Sequence, residues 1–165
     1  MDALEMALKM ETDAVAFYTE ASKKTKYPAG KKMFITIAED EKRHIEMISQ
    51  LIKGLQITAK DVSPMKNMKS IFETMKNEMM KKVEASADEM EAFKIAMKME
   101  QEGTDFYKKT LVKSTKEKEK ALLARLIKEE QQHYEMFSNT YQYLEKTGQW
   151  FLWEESPLRS MVEGG

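Results

Sequence analysis

Two stretches of this sequence match each other and decide its fold: IAEDEKRHIEM at residues 37–47 and LIKEEQQHYEM at residues 126–136. Each contains a glutamate followed three residues later by a histidine, as Glu41 with His44 and as Glu130 with His133. On an α-helix this spacing spans about 300° and one turn of rise, so both side chains of a pair reach one point beside the helix. Because both histidines of the chain occur in this motif, chance is a poor explanation for it.

The two stretches belong to a longer internal repeat with a single offset of 89 residues (130 − 41 = 89). The same offset places Glu100 on Glu11, and Phe106-Tyr107 on Phe17-Tyr18, with no gap. Each half therefore supplies one lone glutamate about thirty residues before its Glu-x-x-His motif. Internal repeats of this kind indicate a duplicated structural unit, and we predict two copies of a helical hairpin.

Apolar residues recur at spacings of three and four through both halves, which predicts four long helices. We expect an all-α, antiparallel four-helix bundle with a long crossover that contains an extra short helix. The predicted segments are helix A at 2–24, helix B after a break at 25–28 and ending at Gly54, a connection at 55–64, the extra helix at 65–83, helix C from Ser86 and helix D to Lys146.

Two further sequence signals complete this prediction. Ser86 with Glu89, and Ser114 with Glu117, form capping-box patterns that mark the starts of helices C and D. The tail at 147–165 contains two tryptophans and a phenylalanine, which we expect to fold back on the bundle. We interpret 1–165 as a single domain whose bundle occupies 2–146.

The composition excludes several classes of protein. The chain has no cysteine, which excludes thiolate zinc sites, disulfides and thiol-ligated iron centres within this sequence. Lysine and glutamate are interleaved and the net charge is −1, so we expect no nucleic-acid partner. We also expect no membrane segment and a cytoplasmic location, because the N-terminus lacks a basic region followed by an apolar run.

Four glutamates and two histidines fall on the predicted inner faces of the bundle. Four carboxylates in a low-dielectric core would repel one another and resist ionisation unless cations lie between them. Two divalent cations balance four carboxylates, and two neutral imidazoles complete the set of ligands. The predicted metal ligands are Glu11, Glu41, His44, Glu100, Glu130 and His133. Iron is the expected metal because of its redox chemistry, and manganese or zinc fits the same ligands.

Four other residues have two interpretations each. Asp40 and Glu129 precede the ligand glutamates and are suited to accept the free imidazole N–H of His133 and His44 respectively; a surface ion pair is the alternative. Tyr18 and Tyr107 lie two turns beyond the lone glutamates on the same face. Their phenols either donate to a ligand carboxylate or simply pack in the core.

The sequence resembles the ferritin-like di-iron carboxylate superfamily, and within it the rubrerythrin family. The resemblance covers about residues 2–146 and rests on Met-Glu-x(5)-Phe-Tyr in helices A and C and on the two Glu-x-x-His motifs. It implies a ferritin-like fold and a di-iron site on the six ligands named above. Typical members carry a second glutamate one turn after the lone glutamate of helix C. Here that place is occupied by Gly103, which counts against peroxidase activity.

The resemblance also implies an activity. We expect a di-iron oxidoreductase that acts on peroxide or dioxygen, of peroxidase or ferroxidase type, with a role in oxidative stress. Since a cysteine-ligated electron-transfer centre is excluded, the electrons must come from an external donor protein. We expect a homodimer. Two alternatives stay open: an iron-oxidising, iron-handling protein like the ferritins, and a non-catalytic bundle that metals brace and that binds a partner.

Overall fold

The computed structural model describes residues 2–158 and contains five α-helices within them. They are α1 (Ala3–Lys24), α2 (Pro28–Ile52), α3 (Pro64–Thr74), α4 (Ala87–Lys113) and α5 (Glu117–Thr147), with 3-10 turns at Lys76–Met79 and Trp153–Glu155. The described part of the chain has no β-strand, and a single antiparallel bridge joins Glu84 to Gln149. The prediction of an all-α, ferritin-like four-helix bundle with an extra helix in the crossover is confirmed. None of the helices in this part is both long and apolar enough to cross a membrane.

The bundle consists of two helical hairpins packed face to face. Helix α1 packs chiefly on α2, and α4 chiefly on α5, while α1 meets α4 and α2 meets α5 between the hairpins. Helix α3, in the crossover, lies against α5 and α2. The apolar core forms two clusters, an aromatic one that includes the tail and an aliphatic one that includes Ala7, Met47 and Leu126.

Four of the helix ends have the expected local chemistry. Asp2 accepts a hydrogen bond from the Glu5 backbone N–H at 2.9 Å, and Ser86 forms the predicted capping box with Glu89. Gly54, the predicted end of helix B, and Gly148, which lies just beyond the predicted end of helix D, have φ values of +70° and +73°. Only glycine adopts this left-handed conformation without a steric penalty, so both helices end where an αL residue follows them.

The predicted capping box at Ser114 and Glu117 is wrong. Ser114 instead ends α4, and its backbone N–H donates to the Leu111 carbonyl at 3.1 Å. Helix α5 begins at Glu117, with Lys116 as its N-cap residue. The connection between the two helices is only three residues long, and closing α4 places Ser114 too early to cap α5.

The extra helix is shorter than predicted. It ends at Thr74 instead of Val83, and a 3-10 turn follows it. The Val83 carbonyl accepts from the Trp150 backbone N–H at 2.7 Å, and the Ala85 N–H donates to the Gly148 carbonyl at 3.0 Å. These backbone groups pair with the tail, so the chain near Val83 is not available to continue a helix.

The tail folds back onto the bundle, as far as it is described. Trp150 and Phe151 are fully buried, and the indole of Trp150 stacks on Tyr27 with ring centroids 5.0 Å apart. The Tyr27 hydroxyl donates a hydrogen bond to the Phe151 carbonyl. Residues 159–165 of the predicted tail lie outside the described residues. Burial of their two large aromatic rings makes Trp150 and Phe151 part of the core.

Substituting Gly30 with alanine should destabilise the protein, although alanine usually stabilises a helix by about 0.5–1 kcal/mol relative to glycine. A Cβ at this position would lie 2.9 Å from both Thr25 Cγ2 and Trp150 Cζ2. Overpacking of this kind costs about 1–3 kcal/mol, so we expect Gly30→Ala to lower the melting temperature. In a Trp150→Phe background, which removes the closest ring atoms, Gly30→Ala should lower the melting temperature by less. An unchanged or higher melting temperature for Gly30→Ala in the wild-type background would contradict this close contact between Gly30 and Trp150.

Candidate metal centre

The structure brings all six predicted ligands together in the middle of the bundle. Helices α1 and α4 each supply one glutamate, and α2 and α5 each supply a glutamate and a histidine. None of the six is more than 3% exposed to solvent. Since each residue comes from an inward face of its helix, the helical periodicity and the bundle packing together create this polar centre in an apolar core.

The six residues form two overlapping sets of four. In each set, one ligand atom per residue lies within 4.8 Å of the others. The first set is Glu11, Glu41, His44 and Glu130, and the second is Glu41, Glu100, Glu130 and His133. Glu41 and Glu130 belong to both sets. The two sets could hold two metal ions, with Glu41 and Glu130 available to both.

The two imidazoles point their Nδ1 atoms into this centre. His44 Nδ1 lies 3.2 Å from Glu11 Oε2, 3.3 Å from Glu41 Oε1 and 3.2 Å from Glu130 Oε1. His133 Nδ1 lies 3.3 Å from Glu41 Oε1, 3.5 Å from Glu100 Oε1 and 3.7 Å from Glu130 Oε1. Donor atoms about 2.1 Å from one ion lie about 3 Å or slightly more from each other, so these distances suit two coordination spheres.

The two Nε2 atoms point outward to the carboxylates predicted for them. His44 Nε2 lies 2.9 Å from Glu129 Oε1, and His133 Nε2 lies 2.8 Å from Asp40 Oδ2. Each pair joins opposite hairpins. An Nε2–H that donates to a carboxylate leaves the Nδ1 lone pair free for a metal and orients the ring.

The two tyrosines donate to the lone glutamates across the hairpins. The Tyr18 hydroxyl donates to Glu100 Oε1 at 2.6 Å, and the Tyr107 hydroxyl donates to Glu11 Oε1 at 2.7 Å. Of the two interpretations of the tyrosines, the hydrogen bond is therefore present in the structure. Sequence spacing correctly placed the phenols near ligand carboxylates, but the partner of each is the glutamate of the other half.

Several buried polar atoms in this centre have no hydrogen-bond partner within residues 2–158. They are Glu41 Oε1, Glu100 Oε2, Glu130 Oε1 and His133 Nδ1. A buried polar atom without a partner costs about 1–3 kcal/mol, and here such atoms of four residues meet at one place. Cations bound between them would remove this cost. The residues present therefore fit a pair of metal ions.

The charges of the centre are consistent with this conclusion. Burial raises the pKa of Glu11 to about 7, with a contribution from the negative charge of Glu41. Burial and the charges of the neighbouring glutamates raise the pKa of Glu130 well above its ordinary value. For the imidazoles burial acts to lower the pKa, but the facing carboxylates raise the pKa of His44 and His133 well above the usual 6.5. Glu11, Glu130 and the two imidazoles therefore hold protons more strongly than the same groups do in water.

Metal binding should therefore release protons and strengthen as the pH rises from 6 to 8. In the metal-free fold the pKa of Glu11 is about 7, against 4.5 for an ordinary glutamate. Protonation of Glu11 therefore stabilises the metal-free fold at low pH, and this contribution is lost as the pH rises through 7. Each proton that the metal displaces should change affinity by up to about tenfold per pH unit. Calorimetric titration with Co²⁺ in two buffers of different ionisation enthalpy checks this; heats independent of the buffer would contradict it.

A cavity of about 160 Å³ leads to the centre between α1 and α4. Glu11, Glu100 and Tyr18 line its inner part, and Ala14 and Gly103 are the small residues along it. These two positions correspond in the internal repeat. A Cβ on Gly103 would lie 3.2 Å from Glu130 Oε2, so the glycine leaves space directly beside a shared ligand.

Sequence reasoning missed one residue of this region, Arg43. Its guanidinium Nη1 donates to Glu129 Oε2 at 3.2 Å, its Nη2 contacts Glu129 Oε1, and Nη2 also lies 3.5 Å from Asp40 Oδ1. The spacing of three residues between Asp40 and Arg43 is a sequence signal for this pair. The contact with Glu129 on the opposite hairpin has no such signal.

Comparisons with known proteins agree with this geometry. A protein-family model described as Rubrerythrin matches residues 2–141, which include all six predicted ligands. No curated protein and no solved structure matched the chain.

Proposed function

Since the chain belongs to the rubrerythrin family, we propose that it is a di-iron oxidoreductase that reduces peroxide or dioxygen with electrons from an external donor protein. The observation that supports this most strongly is that ligand atoms from all four bundle helices converge, and that those without a hydrogen-bond partner come from α2, α4 and α5. The cavity between α1 and α4 gives a small oxidant a route to that point. A purely bracing metal site would need no such opening.

The residues assigned to the two metal positions follow from the two sets. Glu11 and His44 would hold one ion, Glu100 and His133 the other, and Glu41 and Glu130 both. When bound, a pair of ferrous ions supplies two electrons at one place, which matches the needs of a peroxide O–O bond.

The remaining residues orient these ligands and control protons. Burial and the nearby carboxylates hold the pKa of Tyr18 and of Tyr107 well above 10, so both phenols stay protonated at neutral pH. Each keeps one oxygen of a lone glutamate in place through its hydrogen bond. The aromatic and aliphatic clusters on either side exclude bulk water. Ala14 and Gly103 keep the path beside Glu130 open.

Iron oxidation and oligomeric state test the proposal. The anaerobic ferrous protein is mixed with hydrogen peroxide or with dioxygen in a stopped-flow spectrophotometer, beside free ferrous iron at the same pH. We expect at least one oxidant to oxidise bound iron about tenfold or more faster than free iron. Rates no faster than free iron with both oxidants would refute the oxidoreductase function and leave the non-catalytic bundle.

Size-exclusion chromatography with light scattering separates the remaining alternative. We propose a cytoplasmic homodimer that acts against oxidative stress, and a dimer mass would agree with it. Iron storage requires a closed shell of many subunits, so a large shell that retains oxidised iron would favour the iron-handling function instead.

A further inference from the structure

The internal repeat makes the two metal positions similar, but the corresponding residues that immediately precede the two ligand histidines differ in charge. Position 43 corresponds to position 132 at the offset of 89 (132 − 43 = 89), and the residues are Arg43 and Gln132. Each immediately precedes a ligand histidine. The surrounding ligands, the outward carboxylates and the tyrosines are matched in kind on both sides. The halves also differ in side-chain size, at Asp40 and Glu129 and at Ala14 and Gly103, but those pairs do not differ in charge.

Arg43 acts mainly on one of the two outward carboxylates. Both of its terminal nitrogens contact Glu129, the carboxylate that accepts from His44. Its contact with Asp40, the carboxylate that accepts from His133, is longer at 3.5 Å and involves one nitrogen. The side chains of Arg43 and Glu129 are 18% and 4% exposed, so solvent screens this ion pair only partly.

Gln132 serves a different purpose. Its Oε1 accepts from the Ser63 hydroxyl at 3.2 Å and from the Met65 backbone N–H at 3.0 Å. It thereby attaches the start of α3 to the bundle and carries no charge to share with Asp40. At this position of the repeat, the second half has Gln132, which binds the crossover, and the first half has the charged Arg43.

The two carboxylates should therefore polarise their histidines to different extents. A carboxylate whose charge is shared with a guanidinium accepts a weaker hydrogen bond from imidazole, and the imidazole becomes a poorer metal donor. The positive charge of Arg43 also opposes a cation at the His44 side. Both effects weaken the position of Glu11 and His44 relative to that of Glu100 and His133.

We propose that Arg43 is a positioning residue that makes the two metal positions unequal, so that the Glu100–His133 position fills first and the Glu11–His44 position binds and exchanges its metal more readily. This inference rests on the di-metal centre of the proposed function but not on its reaction with an oxidant. Co²⁺ tests it without redox chemistry, so an inactive protein that binds two ions would refute the oxidoreductase function and leave the inference intact.

The test is a calorimetric titration of the metal-free protein with Co²⁺, followed also by the visible absorption of the bound ion. For the wild type we expect two steps whose dissociation constants differ by about tenfold. Arg43→Gln, which copies the residue at the corresponding position, should reduce their ratio by about threefold or more. Arg43→Lys keeps the charge and should keep the ratio within about twofold of the wild type.

A matched control and two single-position variants complete the design. Lys42→Gln removes the same charge from the neighbouring residue, which pairs with Glu39 on the surface, and should leave the ratio unchanged. In a Glu100→Gln background, which keeps only the position of His44, Arg43→Gln should tighten binding. In a Glu11→Gln background it should have little effect. Equal steps in the wild type, fewer than two bound ions, or a ratio that Arg43→Gln and Lys42→Gln change alike would overturn the inference.

Discussion

In a Glu41→Ala variant, we expect bound metal to fall from two ions per chain to less than one. Glu41 belongs to both sets of ligand atoms, so its removal takes an oxygen from each metal position at once. It also leaves three carboxylates facing two imidazoles, a set whose charge no longer balances two divalent cations. Glu130→Ala should have the same effect, because Glu130 occupies the corresponding place in the other half.

Metal analysis of the purified proteins, after reconstitution with ferrous iron under anaerobic conditions, measures this loss. Glu39→Ala is the matched control, since Glu39 lies two residues away on the same helix but pairs with Lys42 on the surface. It should bind as much metal as the wild type. Unchanged metal content in Glu41→Ala or Glu130→Ala would refute the assignment of the shared ligands.

Removal of metal should lower the melting temperature by about 10 °C or more. An ion present at 1,000 times its dissociation constant stabilises the fold by about 4 kcal/mol, and for a chain of this size each kcal/mol changes the melting temperature by about 2–4 °C. Bound cations also offset the charges of Glu11 and Glu130, whose ionisation is opposed by burial and by repulsion from neighbouring carboxylates. Most of this gain should come from the centre itself, because its ligands join all four helices of the bundle.

Thermal unfolding followed by circular dichroism, with and without a chelator, checks this effect. The Glu41→Ala variant serves as the control, since it should melt at one temperature whether or not metal is present. A wild type whose melting temperature does not respond to the chelator would show that the centre contributes nothing to stability, and a shift of equal size in Glu41→Ala would show that metal acts elsewhere.

The fold was predictable because its signals are local or repeated. Helix boundaries at Gly54, Ser86 and Gly148 follow from caps and stops that lie within a few residues of each helix end. One prediction was wrong because a local signal was used by the wrong helix, since Ser114 ends α4 instead of capping α5. Another was wrong where a distant segment competes for the same backbone. The predicted extra helix does not extend to Val83, where Val83 and Ala85 pair instead with residues 148–150 of the tail, more than sixty residues away in sequence.

In the candidate site, too, local and repeated signals were predictable and contacts between distant segments were not. An offset of 89 residues aligned all six proposed ligands, and helical periodicity placed them on inner faces. The spacing of Tyr18 and Tyr107 was equally compatible with hydrogen bonding and with packing in the core. The choice depends on where the opposite hairpin places its lone glutamate, which no pattern within one helix contains.

By itself, the sequence determined the helical class, the duplication and the identity of the residues proposed to hold metal, since these depend on spacing along single helices and on one constant offset. Only the tertiary structure decided which hairpin supplies the partner of each tyrosine, and that Arg43 contacts Glu129 of the opposite hairpin while Gln132 attaches the crossover. The physical reason is that each of these contacts joins side chains from segments that meet only when the two hairpins and the crossover pack together.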